Sequence, residues 1–297
     1  MVNAYMDMAA AKPVAIVASP GYWRLVGRRL LRDKVAMAAF AVLLVIVLCA
    51  IFANVVSPAD PFRGSIVRRL RPPFTPGYIL GTDELGRDML TRMIYGGRLS
   101  LFMGVTPVVL AFIAGSGIGI FAGYVGGRVN TLLMRVIDVF FAFPSVLLAI
   151  ALSGALGAGI LNSIVSLTVV FIPPIARVAE SVTTQIRSRD YVEAARISGA
   201  GTFTILRVQV LANVIGPIFV YATSLISVSM ILASGLSFLG LGVSPPHPEW
   251  GLMLNTLRTA MYSHPVTAAL PGVMIFLTSI SFNMFSDGLR AAMEVRQ

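Results

Sequence analysis

The 297 residues are 57% hydrophobic and only 12% charged, with 23 Lys+Arg against 13 Asp+Glu and a formal net charge of +10. Soluble domains hold about 45–50% apolar and about 25% charged residues, so this composition excludes an ordinary soluble protein. The basic residues lie between the apolar runs, where span orientation requires them, so the positive charge is no sign of nucleic acid.

Residues 1–34 contain no apolar core of signal-peptide length, and the first apolar run follows Arg28, Arg29, Arg32 and Lys34 with no small-residue cleavage site after it. That run, Val35–Ala53, carries no charge and is long enough to cross a hydrocarbon core about 30 Å thick. Cys49 falls inside it. A single cysteine forms neither an intrachain disulfide nor a metal cluster, and it reads as a small core residue.

A polar segment from Asn54 to Arg98 precedes a second charge-free stretch, with a span expected at Leu101–Tyr124. Ala111, Gly115, Gly119 and Gly123 recur there at steps of four, which leaves one helix face smooth enough for close backbone approach. That face serves either packing within the chain or an interface with a second subunit. From Val139 to Ala176 no charge appears. As one helix this stretch would measure about 57 Å, so it must fold back, with Ser153, Gly154, Gly157 and Gly159 supplying the turn. The third span is expected at Leu132–Leu156 and the fourth at Ile160–Val178. Asp138 is the acid inside a span, and an intramembrane acid is a pathway candidate. Its alternative is a structural pair with Arg135, one turn before it. The fifth span is expected near Val214–Leu236 and the sixth near Val266–Phe285. With both termini inside, internal segments carry 15 Lys/Arg and external ones 8, so the positive-inside rule places the termini in the cytoplasm.

A nucleotide-binding P-loop needs a glycine-rich turn followed by Lys and Ser/Thr. Lys12 precedes Pro13 and Lys34 precedes Val35, so neither lysine serves, and any driving ATP must bind another chain. Ser116, between Gly115 and Gly117, has no histidine base in any span; His247 and His264 both fall between spans five and six. Two His and one Cys far apart make no metal site. The chain reads as a non-enzyme with no cofactor of its own.

Between spans four and five, Asp190 followed by Glu193 has the spacing of a capping box, with a short helix expected over Tyr191–Ser198. Gly199, Ala200 and Gly201 end it, and Thr202 starts a helix that leads into span five. Gly199 is expected to need a conformation that a Cβ opposes. Outside, Thr82 reads as an N-cap ahead of Asp83 and Glu84. The proline-rich stretch at 245–248 reads as a rigid, non-helical lid.

Tyr191-Val192-Glu193-Ala194-Ala195, then three residues and Gly199, resembles the EAA loop of ABC-importer permeases and sits before the penultimate span, as it does there. The family pattern continues to a Leu-Pro pair; here Leu211 is followed by Ala212. Gly81–Asp88, Leu90 and Arg98-Leu99-Ser100-Leu101 are similar to the segment before span two in C-type subunits of dipeptide, oligopeptide, nickel and glutathione importers. Ser237–Gly242, Pro245-Pro246 and Pro248-Glu249-Trp250-Gly251 resemble their segment between spans five and six, and Phe282-Asn283 and Asp287–Arg290 extend the likeness near the end. The likeness spans about residues 20–290.

The resemblance implies an all-α integral membrane protein of six transmembrane helices with the type I ABC importer permease fold. Its layout would be a cytoplasmic segment 1–34, a first span 35–56, an external loop 57–98, a five-helix core 99–290 with a coupling loop 179–210, and a cytoplasmic tail 291–297. The implied partners are a second, homologous permease, two ATP-binding subunits carrying ATP and Mg, an extracytoplasmic substrate-binding protein and the bilayer. Asp190, Tyr191, Glu193, Ala194, Ala195, Gly199 and Thr202 are the implied ATPase-coupling residues. Asp138, Pro144, Pro245, Pro246 and Trp250 are candidates for the pathway or gate. Di- or oligopeptides are the expected substrate, with nickel chelates or glutathione behind. A self-contained secondary transporter or channel is the reading from another class; it would require inverted repeats or several intramembrane charges, and only Asp138 is found.

Overall fold

The computed structural model describes residues 22–294. The chain opens with helix α1 (Tyr22–Arg32), which the sequence reading did not foresee. Asp33 is extended, and its carboxylate accepts the N–H groups of Val35 (2.9 Å) and Ala36 (3.1 Å), starting α2 (Lys34–Ile51). A single turn, α3 (Ala53–Val56), ends the first span.

Helix α4 (Met89–Val125) begins twelve residues before the expected span. Its 37 residues reach about 56 Å, well beyond a hydrocarbon core. Asp88 caps it, accepting Thr91 N–H at 2.8 Å. The N-cap is therefore Asp88 and not Thr82. Thr82 lies in the segment between α3 and α4, where its hydroxyl accepts Arg71 N–H at 2.8 Å and donates to the Arg68 carbonyl.

The expected third helix is two helices, α5 (Gly127–Phe141) and α6 (Ser145–Leu156), bent by 87°. Pro144 explains the break, because it has no N–H to donate and disfavours helical geometry at Phe143. The fold-back then occurs at Gly157–Gly159, while Ser153 and Gly154 remain in α6. Helix α7 (Ile160–Arg187) continues nine residues past the expected end of span four. A short α8 (Asp190–Ile197) follows. The turn α9 (Thr202–Thr204), a π-helical stretch Ile205–Leu211 and α10 (Ala212–Phe238) then form one continuous helix. After a segment that carries α11 (Trp250–Thr256), the last described helix is α12 (Pro265–Met293).

Five of these helices are long and apolar enough to cross a membrane, six when the bent α5–α6 pair counts as one span. The centre of the bundle is the contact of α4 with α7. A Cβ at Gly115 would stand 2.9 Å from the Ile172 carbonyl and one at Gly123 2.7 Å from the Glu180 carbonyl, with Gly119 against Ala176 between them. The small-residue stripe therefore packs within the chain. Around it lies a core of Met103, Val108, Leu167, Phe171, Ile175, Val214, Ile218 and Leu236. Outward-facing Val45, Ile113, Val139, Leu161, Ile231 and Phe276 remain exposed, as surfaces meeting lipid or another subunit require.

The two ends of the bundle are distinct. At one end Gly126 touches Arg187, and Val178, Pro217, Arg290 and Glu294 line a common crevice, so α8 and both described chain ends lie on the same side. At the other end, Gly159 N–H donates to the Leu241 carbonyl at 3.0 Å, beside the 245–250 segment.

Candidate coupling site and the opposite cap

Helix α8 is short, and its ends are built differently from the expectation. Its N-cap is Arg189, extended and without a side-chain cap bond, so Asp190 is the first helical residue rather than the cap of a capping box. Asp190 and Glu193 still place negative charge in the first turn, where the helix dipole favours it. Glu193 also faces Arg196 at 3.6 Å, an exposed pair that adds little.

The C-terminus follows the glycine-terminated pattern. Ala200 N–H donates to the Ala195 carbonyl and Gly199 N–H to the Arg196 carbonyl, both at 3.1 Å, with Gly199 at φ +79°. These are the two bonds of a Schellman motif, which satisfies the last carbonyls and stops the helix abruptly. No neighbour crowds Gly199, so its requirement is conformational and not steric.

Val192 is fully buried and joins α8 to the core through Ile205 and Val210. Ala195 is half-buried beside it, while Tyr191, Glu193 and Ala194 are exposed. Tyr191 is 41%, Ile197 80% and Phe203 75% exposed. Thr202, exposed, starts α9 after Gly201. The result is a peg fixed by one buried side and presenting apolar and acidic groups outward. Sequence reasoning missed Ile197, Phe203 and the π-helical stretch, a geometry frequent at functional positions. Ala212 begins the regular helix directly after it.

The remaining candidates divide. Asp138 pairs with Arg177 on α7, not with Arg135, and the two side chains are 45% and 44% exposed. The pair was not legible because its partner lies 39 residues away on another helix. Pro144 is that break, at an apolar crevice lined by Phe140, Phe143, Phe171, Pro173 and Leu225. Pro245 and Pro246 are exposed in a non-helical segment, as the prolines predict.

Trp250, by contrast, is an anchor. It is buried, its ring lies against Gly96 and Gly97, its indole N–H donates to the Met93 carbonyl at 2.9 Å, and its backbone N–H donates to Ser100 Oγ at 3.0 Å. Beside it, buried Glu249 caps α11, accepting Gly251 N–H (2.9 Å), Leu252 N–H (2.8 Å) and the Ser100 hydroxyl (2.9 Å). Burial pushes the Glu249 carboxyl above its ordinary range, against the hydrogen bonds from Gly251, Leu252, Ser100 and Ser237. A second buried cluster holds the 57–88 segment. Asp83 meets Arg87 Nε at 2.6 Å and Arg92 Nε at 3.1 Å, and Arg92 also donates to the Pro61 carbonyl at 3.0 Å. Sequence reasoning quoted Asp83 and Glu249 only as parts of motifs. An acid immediately ahead of a Trp-Gly helix start was the available sign of the second.

Comparison with known proteins matches this architecture. The profile described as "Binding-protein-dependent transport system inner membrane component" covers residues 115–297, and that of the "N-terminal TM domain of oligopeptide transport permease C" covers residues 21–73. The chain is 38% identical over 299 residues to the di/tripeptide transport system permease protein DppC of Pseudomonas aeruginosa, covering 98% of this chain and 97% of the relative. It is 39% identical over 272 residues to the glutathione transport system permease protein GsiD of Pectobacterium atrosepticum, covering 92% and 90%. A chain of the MetNI methionine ABC transporter, in an inward-facing conformation, superposes with a TM-score of 0.57 at 19% identity, over 69% of this chain and 97% of that one.

Proposed function

Because this chain belongs to the inner membrane components of binding-protein-dependent transport systems, as a permease subunit of an ABC importer, we propose that α8 is the element through which a separate ATPase drives it. The observation that carries the proposal is the peg itself: Val192 locked in the core, Tyr191, Glu193 and Ala194 outward, and a Schellman stop at Gly199. A short, capped helix transmits a push without bending, and small Ala194 and Ala195 permit close seating. ATP and Mg belong to two partner ATPase subunits, since neither Lys12 nor Lys34 lies in a P-loop. A second permease completes the pathway, and an extracytoplasmic binding protein delivers the substrate. Both termini and α8 face the cytoplasm in this reading, supported by the 15-to-8 distribution of basic residues.

The substrate proposed is a di- or oligopeptide. Glutathione, itself a peptide, is the second reading, favoured by the GsiD relatives. Uptake of a labelled dipeptide by the reconstituted complex, competed with unlabelled dipeptide or glutathione, separates the two. A chain that transports without any ATPase would instead be a secondary transporter.

A further inference from the structure

Helix α1 carries Arg24, Arg28 and Arg32 at steps of four, with Arg29 next to that stripe. All four side chains are exposed. Among the described residues none of them makes an ion pair; Arg29 donates only to the Glu294 carbonyl, at 3.3 Å. The nearest acid in sequence, Asp33, is occupied with the first N–H groups of α2. On the opposite side Val26 is buried, so α1 is held against α12 and the bundle by its apolar stripe. Leu31 is 69% exposed and adjoins the basic stripe.

The position of this helix decides what faces it. Asp33 breaks the helical course with an extended conformation, so α1 is not a continuation of α2. The charge-free stretch that must lie in hydrocarbon begins at Val35, three residues after Arg32. Arg32 therefore sits at the level of the headgroups, with Arg28 and Arg24 one and two turns further along the same face of α1. With its apolar side taken up by the bundle, α1 turns a row of arginines outward next to a span end, the kind of basic cluster that attracts anionic headgroups.

We propose that α1 is a binding site for anionic phospholipid, with Arg24, Arg28 and Arg32 meeting the headgroup phosphates and Leu31 dipping among the acyl chains. The attraction is Coulombic, about five-fold in partition for each arginine near an anionic surface. The proposal does not depend on which solute the importer carries.

The test places an environment-sensitive fluorophore at Leu31→Cys, in a Cys49→Ala background, within the complete importer in nanodiscs. Bromine-labelled phosphatidylglycerol and phosphatidylcholine serve in turn as quenchers. The proposal expects several-fold stronger quenching by the anionic lipid. It expects that preference to vanish in R24Q/R28Q/R32Q, while phosphatidylcholine quenching persists, and to survive in R24K/R28K/R32K. Equal quenching by both lipids in the parent overturns it. So does no quenching by either, which would mean that α1 faces a protein subunit. Loss of the preference in the lysine variant overturns it too, because headgroup attraction needs only the charge.

Discussion

The Ser100 hydroxyl donates to the Glu249 carboxylate at 2.9 Å across 149 residues of sequence, joining the first long spanning helix to the segment between the last two. The same hydroxyl accepts Trp250 N–H, so one serine serves both residues of the cap. Ser100→Ala leaves Trp250 N–H without its partner and should destabilise by about 1–3 kcal/mol. Thermal unfolding of the purified complex measures this, and an unchanged midpoint contradicts the arrangement.

Glu249 also predicts a pH dependence. Its folded-state pKa is raised by burial, so its contribution to stability is fully present below its unfolded value and is lost as pH rises through the folded value. Glu249→Gln keeps the shape and cannot ionise. The stability of the parent relative to this variant should therefore fall as pH increases from about 4.5 upward. Paired melting curves across pH 5–8 check it; a difference independent of pH would show that Glu249 does not titrate in that range.

Asp83 neutralises two buried arginines at once. Asp83→Ala leaves buried Arg92 with no acid and Arg87 with Glu84 alone, and should cost about 3–5 kcal/mol, more than removing any exposed charge in the same segment. Arg63→Ala, at an exposed position, is the control. Proteolytic sensitivity of the 57–88 segment reports both. Equal resistance in the two variants would contradict the role given to the cluster.

Asp138 and Arg177 form a half-exposed pair, for which a contribution below about 1 kcal/mol is expected. Asp138→Asn should leave uptake per assembled complex near the parent level, and the reversed pair D138R/R177D should assemble. A large loss of uptake with intact assembly would instead place Asp138 in the pathway.

The spans were legible because hydrocarbon thickness imposes a length and an absence of charge, and both are properties of a string of residues. The Gly115/Gly119/Gly123 face was legible for the same reason, although the sequence left open whether α7 or another subunit covered it. What could not be read depended on two distant places meeting. Asp138 stood in plain view, but only the fold brings it to Arg177, 39 residues away. Helix α4 starts twelve residues early because Asp88 caps a first turn whose Thr91 and Arg92 are buried, which no hydropathy run reveals. Helix α8 was placed to within a residue at each end, since its stop is local chemistry at Gly199; its cap was misassigned, since Arg189 caps it by backbone alone.

Two substitutions in and beside α8 test its coupling role most directly. Gly199→Val places a β-branched residue at φ +79°, costing on the order of 1 kcal/mol or more and loosening the end of the peg. Glu193→Lys reverses a first-turn charge on the outward face. Substrate-stimulated ATP hydrolysis and uptake should be measured together in proteoliposomes holding the complete importer. The account predicts that both variants insert and pair normally, yet take up far less substrate per ATP hydrolysed or lose the ATPase subunits. Parent-level uptake at parent-level abundance in both variants would contradict it, leaving α8 as a connector between two spans.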